Sequence, residues 1–190
     1  MMKLFFYDLE TTGLDSNKHG IHQISGKVVI NGETKEEFNF KVAPNPYAVI
    51  DDEALKIAGV TRDQVLAYEP MTEVYKKLTA ILEKYVKKYN KKDKFFLVGY
   101  NNAHFDNEFF REFFRQNGDR FFGSWFWSNC FDVMVLATPY LAEKRADMEN
   151  FKLSTVAAAL GIDVQADALH DAMYDIELTH KIFDIVCKFS

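Results

Sequence analysis

The sequence predicts an α/β fold built on a mixed β-sheet. Three short strands come first, and later strands then alternate with helices along the chain. An early hairpin gives antiparallel pairing, whereas strands separated by helices pair in parallel. Apolar residues in the later segments recur at helical spacing. One such segment carries Val74, Leu78, Ile81 and Leu82. We therefore expect helices packed on a sheet that contains both kinds of strand pairing.

The composition indicates one globular domain without a membrane span. The 190 residues are 48% hydrophobic and 15% aromatic, which excludes an intrinsically disordered chain. The longest uncharged apolar stretches, near residues 121–127 and 156–162, are far shorter than the ~20 residues of a spanning helix. The first residues, MMKLFFYDLE, contain too short an apolar run for a secretion signal. We expect a single domain over residues 1–190 and no membrane partner.

The charge indicates how the protein could bind nucleic acid, and the cysteine content indicates its cellular location. The net charge is −5, from 23 basic and 28 acidic residues. This balance argues against binding nucleic acid by bulk electrostatics, but it leaves open phosphate binding through cations. Cys130 and Cys187 are too few for a disulfide framework or a cysteine zinc site, which favours a cytoplasmic location.

Local patterns place the strands and helices in order. The apolar run at residues 3–7 is typical of a buried strand. Asn31-Gly32 predicts a hairpin turn, because both residues tolerate positive φ. The predicted strands cover residues 3–7, 23–30, 37–42 and 95–99. The predicted helices cover residues 51–58, 71–90, 106–116, 152–160 and 171–187. Residues 131–136 fit a strand or a helix, and both alternatives stay open.

The first candidate site is the sequence YDLETTG, which contains Asp8 and Glu10. Side chains alternate across a strand, so these carboxylates project from one face near the end of the first strand. Like charges that close repel and raise each other's pKa unless a cation lies between them. Hard ions such as Mg²⁺ prefer oxygen ligands of this kind. The alternative is a solvated strand end with two unrelated acids.

The second candidate site is Asp106 in NNAHFDNEFF. Here a buried strand passes into a helix, at the edge where α/β sheets gather their binding sites. Asp and Asn also cap helix N-termini routinely, so helix capping is the alternative role for Asp106.

The third candidate site is LHDAMYD, with His170 and Asp175. Five residues correspond to about 140° on a helix, so the two side chains converge only if His170 precedes the helix. Asp171 shares a helix face with Asp175 and fits either a second ligand or the helix cap. Without such neighbours, a lone histidine is a satisfied surface or core residue.

Taken in order, YDLETTG, NAHFD and HDAMYD resemble the motifs of the DEDDh group of 3′–5′ exonucleases. That group includes the proofreading subunit of bacterial replicative polymerases, ribonuclease T and oligoribonuclease. The likeness extends to FDVMVLA and FKLSTVAAALGI, so it covers residues 3–187. It implies a ribonuclease H-like α/β fold, in which helices flank a mixed β-sheet. Many proofreading members carry a histidine in the segment corresponding to KIAGVTRDQV, which here has Ala58 before Gly59, and we expect no catalytic role for it.

Carried over residue by residue, the resemblance implies metal ligands, a general base and substrate contacts. The implied ligands of two divalent cations, Mg²⁺ or Mn²⁺, are Asp8, Glu10, Asp106 and Asp175. The implied general base is His170. Contacts to the terminal nucleotide and support of the site are implied for Leu9, Thr11 and Asn102.

The implied activity is hydrolysis of phosphodiesters from the 3′ end of single-stranded DNA, which releases nucleoside monophosphates. An exoribonuclease of the same fold is the first alternative, because the motifs do not separate the two sugars. A catalytically silent module that binds nucleic acid or docks a polymerase is the second. A polymerase partner and a homodimer both stay open. Because the sequence ends at Ser190, just past the last motif, we expect no polymerase-binding extension.

Two further segments are each open to more than one interpretation. Residues 76–94 contain eight lysines, which fit either a solvated helix face or a positive arm for nucleic acid. The run FFGSWFW at residues 121–127 fits either the core, a partner surface or the stacking of bases. The solvated face and the core or partner surface are the favoured interpretations.

Overall fold

The computed structural model describes residues 2–166, 168–169 and 171–187. Its centre is a six-stranded sheet in the order β4-β3-β2-β1-β5-β6. The strands are β1 Lys3–Thr11, β2 Ile21–Ile30, β3 Glu33–Ala43, β4 Glu69–Pro70, β5 Phe96–Gly99 and β6 Phe131–Asp132. Strands β1, β2 and β3 pair antiparallel, whereas β1 with β5, β5 with β6 and β3 with β4 pair in parallel. The predicted mixed sheet is confirmed.

Seven α-helices surround this sheet in the described part of the chain. They are α1 Asp52–Ile57, α2 Arg62–Leu66, α3 Met71–Tyr85, α4 Asp106–Gln116, α5 Val133–Leu141, α6 Leu153–Ala159 and α7 Ala172–Val186. Two short 3₁₀ helices cover Phe122–Ser124 and Arg145–Asp147. Across the described residues, we find no helix with the length and apolarity that crossing a membrane requires.

Turns and caps explain where several elements begin and end. Asn31 and Gly32 have φ angles of 52° and 81°, which confirms the predicted hairpin between β2 and β3. Helix α1 begins after Asp51, whose side chain accepts from the Glu53 N–H. Thr61 and Gln64 form a reciprocal capping box at the start of α2. These local hydrogen bonds satisfy helix N–H groups that would otherwise lack partners.

The structure adds to the sequence-based prediction or corrects it at several places. Helix α2 and strand β4 were not predicted. The helix predicted over residues 71–90 ends at Tyr85, because Val86 is extended and the Lys87 N–H bonds to Asp93 Oδ2 instead. The open segment at residues 131–136 divides between β6 and α5, with Asp132 as the N-cap.

Two apolar cores lie on the two faces of the sheet, and β1 contributes to both by alternation. Phe5, Tyr7 and Leu9 belong to the core shared with α3 and α4. Leu4 and Phe6 belong to the core shared with α5, α6 and α7. Strand β1 therefore runs through the middle of the protein, buried on both faces.

The aromatic run at residues 121–127 contributes to the first of these cores. Phe122, Trp125 and Phe126 are buried there, so the core interpretation is confirmed for these three side chains. Phe121 is different, because 68% of its surface is exposed.

Gly26 provides a test of this packing. A Cβ atom built at Gly26 would lie 2.2 Å from Cζ of Phe38, so Gly26→Ala would overpack the core between β2 and β3. We expect a loss of about 1–3 kcal/mol in the free energy of unfolding, which lowers Tm by roughly 2–4 °C per kcal/mol. Thermal unfolding followed by circular dichroism measures this shift.

Gly123→Ala is the matched control, because a Cβ atom there has no neighbour within 4 Å. The Tm of this variant should equal or slightly exceed that of the wild type. A similar Tm loss in both variants would contradict the proposed contact between Gly26 and Phe38.

Candidate active site at the end of the central strand

Asp8 and Glu10 lie within β1, on the face that α7 covers. Both residues have the parity of Leu4 and Phe6, whose side chains enter the core beneath α7. Asp175 lies in the first turn of that helix. Strand β1 extends to Thr11 rather than ending at Tyr7, so the two carboxylates are held by sheet pairing with β2. The fold thus brings three of the predicted residues to one place.

Asp106 is the first residue of α4 and reaches the same place from the other side. Its exposed fraction is only 8%. The N-cap of α4 is Phe105, and no side chain forms a capping hydrogen bond there, so the capping role considered for Asp106 is wrong. The Tyr7 hydroxyl donates to Oδ1 of Asn107 over 2.5 Å, which ties β1 directly to the start of this helix.

The four carboxylates interact electrostatically. Burial raises the pKa of Asp8 well above its usual range, and the negative charges of Asp106, Glu10 and Asp175 raise it further. Burial also raises the pKa of Asp106 to about 7, although the backbone N–H groups of Asp106 and Leu9 partly oppose this. Glu10 and Asp132 add further negative charge near Asp106. Burial and mutual repulsion therefore disfavour the ionised forms of Asp8 and Asp106.

The chemistry of these donors fits hard divalent cations. Carboxylate oxygens are the ligands that Mg²⁺ prefers, and a cation between them would remove the repulsion that raises the pKa of Asp8 and Asp106. Among residues 2–166, 168–169 and 171–187, however, no three His, Cys, Asp or Glu side chains are already arranged as a metal centre. The carboxylates are neighbours in the fold without a closed set of ligand atoms.

The third motif is only partly described. His170, the predicted general base, lies outside the described residues. The Asp171 side chain accepts from the N–H groups of Met173 and Tyr174, each over 3.0 Å. Asp171 is therefore the N-cap of α7, and of its two considered roles the structure supports the cap.

The predicted substrate contacts lie around the same strand end. Leu9 is buried in the first core, so only its backbone faces the carboxylates. The Thr11 hydroxyl donates to the Gly13 carbonyl over 2.8 Å and shapes the turn after β1. Asn102 is 1% exposed, and its side chain lies beside the buried Tyr7 hydroxyl.

Asp132 organises the loop that carries Asn102, and sequence reasoning missed it. Its carboxylate accepts from the N–H of Asn101 over 3.0 Å and from that of Ala103 over 3.3 Å. It also accepts from the Met134 N–H at the start of α5. An Asp between a short strand and a helix is a sequence signal for such a role. It could not be used because residues 131–136 were not assigned to a strand or a helix.

The loop is also shaped by close packing against β5. A Cβ atom at Gly99 would lie 2.8 Å from Cβ of Asn102, so only glycine fits under that side chain. The Asn102 carbonyl accepts from the Asn107 N–H over 3.0 Å. Asp132 and Gly99 thus fix the loop, and the loop fixes the first turn of α4, where Asp106 lies.

Comparison with known proteins identifies relatives of this chain. The family model described as "Exonuclease" (RNase T) matches residues 5–183. A DNA polymerase III of PolC type from Mycoplasmopsis pulmonis (strain UAB CTIP) is 24% identical over 178 residues, which cover 93% of this chain and 11% of that polymerase.

Solved structures of E. coli exonuclease I have the same fold. The complex with a dT13 oligonucleotide matches 98% of this chain with a TM-score of 0.76 and 22% identity. The complex with a dA16 oligonucleotide matches 97% with a TM-score of 0.74 and 21% identity. This chain covers 41% of exonuclease I in both cases. The likeness confirms the predicted ribonuclease H-like fold.

The raised pKa of Asp106 predicts how stability depends on pH. The folded protein retains a proton on Asp106 up to about pH 7, whereas the unfolded chain releases it near the ordinary value of about 4. Between these values the folded state binds more protons, so the free energy of unfolding falls as pH rises. In EDTA above about pH 7, the free energy of unfolding of Asp106→Asn should exceed that of the wild type by on the order of 2–4 kcal/mol.

Thermal unfolding in EDTA across this pH range measures the difference between the two proteins. It should vanish at about pH 3 and below, where Asp106 is protonated in both states. Asp163→Asn, which changes an exposed residue after α6, is the control and should follow the wild type at every pH. A difference between Asp106→Asn and wild type that stays constant with pH would refute the raised pKa.

Proposed function

Because the chain belongs to the RNase T exonuclease family, which confirms the DEDDh resemblance, we propose that it is a 3′–5′ exonuclease of single-stranded nucleic acid. DNA is the proposed substrate in preference to RNA. The complexes of exonuclease I with dT13 and dA16, and the polymerase relative, support this preference.

The observation that carries the proposal is the group of interacting carboxylates on three separate elements. Asp8 and Glu10 from β1, Asp106 from α4 and Asp175 from α7 influence one another's charge. A fold concentrates buried, mutually repelling acids where a function compensates for the cost. Binding of metal ions that hold a phosphate group is such a function.

We propose that these four carboxylates hold two divalent cations, Mg²⁺ or Mn²⁺. Bound there, such ions would stabilise negative charge on the attacking and leaving oxygens of a phosphodiester. The protein's part is to fix the carboxylates on rigid elements and to keep them ionised around the ions. Asp8, whose charge interacts with those of the other three carboxylates, would contribute most to holding the ions.

The remaining proposed roles concern the water and the nucleotide. His170 accepts a proton from the attacking water, since an imidazole with an ordinary pKa near 6.5 is a suitable base at neutral pH. The backbone at Leu9 and Thr11 contacts the terminal nucleotide. The buried amide of Asn102 supports the loop or the substrate beside Asp106.

Polarity and metal dependence test the proposal directly. With Mg²⁺ or Mn²⁺, a 5′-labelled single strand should shorten one nucleotide at a time, and a 3′-labelled strand should release its label first as a mononucleotide. EDTA should abolish both reactions, and so should Asp8→Asn, because it removes one of the carboxylates that would hold the ions. Gel time courses on DNA and RNA of one sequence measure these outcomes and the sugar preference.

Asp163→Asn is the matched control for Asp8→Asn and should retain activity. Internal cleavage fragments, or full activity in EDTA, would refute metal-dependent exonuclease action. Faster digestion of RNA would leave the reaction in place but reverse the proposed substrate preference.

His170→Ala tests the general base separately from the metal ligands. We expect kcat to fall by ~10²–10⁴, the usual contribution of a general base. Wild-type kcat should rise with pH through about 6.5 as the imidazole loses its proton, and the variant should lack this rise. Addition of Mn²⁺ should still raise the Tm of the variant, since ions that bind only the folded state stabilise it.

His104→Ala, at an exposed position in the second motif, is the control and should keep the pH profile. Near-normal turnover of His170→Ala at neutral pH would show that another group is the base. Loss of the Mn²⁺ response would instead assign His170 to metal binding.

A further inference from the structure

Two segments with open interpretations, the lysines at residues 76–94 and the aromatics at residues 121–127, come together in the fold. The Lys88 amine lies 4.7 Å from the centre of the Trp125 ring, and the Lys94 amine lies 5.3 Å from that of Trp127. Lys94 also donates to the Gly123 carbonyl. Two segments that are distant along the chain are therefore joined by contacts between lysine amines and tryptophan rings.

An arginine groove adjoins these residues. It has a volume of about 370 Å³ and is lined by Arg111, Arg115, Asp119, Arg120 and Phe122. The chain has five arginines, so three of the five lie in this groove. The Arg111 guanidinium lies over the Phe122 ring at 4.5 Å. Stacking of this kind holds a guanidinium in place while its N–H groups stay available.

The acids nearby are already engaged within the fold. Asp119 accepts from Tyr75, Lys88 and Trp125 and from the Phe121 N–H. Glu112 pairs with Arg115. Within the described chain, no carboxylate forms an ion pair with Arg120. The surface therefore retains positive charge on a protein whose net charge is −5.

Two aromatic side chains project from this surface into solvent. Phe121, next to Arg120, is 68% exposed, and Tyr89, next to Lys88, is 96% exposed. Exposed aromatic rings cost solvation free energy unless a partner covers them. Bases stack on such rings while neighbouring cations hold the phosphates, which is how proteins bind single strands without sequence preference.

We propose that this basic–aromatic surface (Lys88, Tyr89, Lys94, Arg111, Arg115, Arg120 and Phe121) is a second binding site for single-stranded nucleic acid. It deepens the proposed exonuclease function, on which it rests, by binding the part of the strand upstream of the 3′ end. The surface is separate from the carboxylates, because Arg111 and Arg115 lie on the exposed side of α4, opposite its buried phenylalanines.

Its position makes the site sensitive to strand length. Arg115 lies nine residues after Asp106, about 13.5 Å along the helix axis at 1.5 Å per residue. A stacked strand that advances about 3.4 Å per nucleotide needs at least about four nucleotides to span that distance. Longer strands should therefore occupy both sites, whereas shorter ones should occupy only the carboxylate site.

Binding in EDTA tests this site without turnover. Fluorescence anisotropy with a labelled strand of about 20 nucleotides compares wild type with Lys94→Gln/Arg120→Gln and with Phe121→Ala. The double variant should bind more weakly, and the slope of log affinity against log salt should decrease by about 1.4, or ~0.7 per lost phosphate contact. Phe121→Ala should bind roughly fivefold more weakly or worse, with its salt slope unchanged.

Kinetics with two strand lengths give the second measurement. For the long strand, KM should rise in the double variant while kcat stays the same, because these residues lie away from the carboxylates. For a strand of about three nucleotides, both constants should match the wild type. Lys144→Gln/Lys181→Gln removes two charges near the helices on the opposite face of the sheet and is the matched control.

The outcomes separate this site from the proposed function. Wild-type affinity and salt slope in the double variant would overturn the site, and so would equal losses in the control variant. If the double variant binds more weakly than the wild type in EDTA but the wild type hydrolyses nothing with metal, the site would be supported and the exonuclease proposal overturned. Thermal unfolding of every variant verifies that the binding losses do not come from unfolding.

Discussion

Mutual repulsion among buried carboxylates at the end of β1 is the constraint on which the rest of the structure depends. Asp8 is raised in pKa by burial and by three other acids, so this group of side chains opposes folding whenever it is ionised. The protein places it on the most enclosed strand of the sheet, with β2 on one side and β5 on the other. Apolar burial on both faces of β1 offsets this local cost.

The surrounding polar contacts hold the carboxylates in place despite that repulsion. Tyr7, on the opposite face of β1 from Asp8, bonds to Asn107 beside Asp106. Asp132 holds the backbone of the loop before α4 and caps α5 at the same time. These contacts link three elements through buried hydrogen bonds, which are strong in a low-dielectric interior. Rigid placement of this kind is what a site that binds metal and phosphate requires.

For the proposed binding of nucleic acid, the distribution of charge over the protein matters more than the net charge. A net charge of −5 argues against nucleic-acid binding by bulk electrostatics, and the carboxylate group adds to the negative side. Yet three of the five arginines gather around one groove, and the amines of Lys88 and Lys94 lie over tryptophan rings beside it. The proposed functions assign the acids to cations and the basic–aromatic surface to phosphates, so the two regions would serve one ligand.

The sequence alone determined the class of fold, most of its elements and the identity of the candidate residues. Alternation and helical spacing are local properties, so β1, the hairpin at Asn31-Gly32 and α4 were predictable from neighbours along the chain. The order of three motifs indicated the family. Only the tertiary structure decided that Asp132 holds the loop of Asn102, that Asp171 is a cap, and that Lys88 lies on Trp125. These are contacts between side chains and backbone groups whose geometry depends on packing, and residue spacing does not encode that geometry.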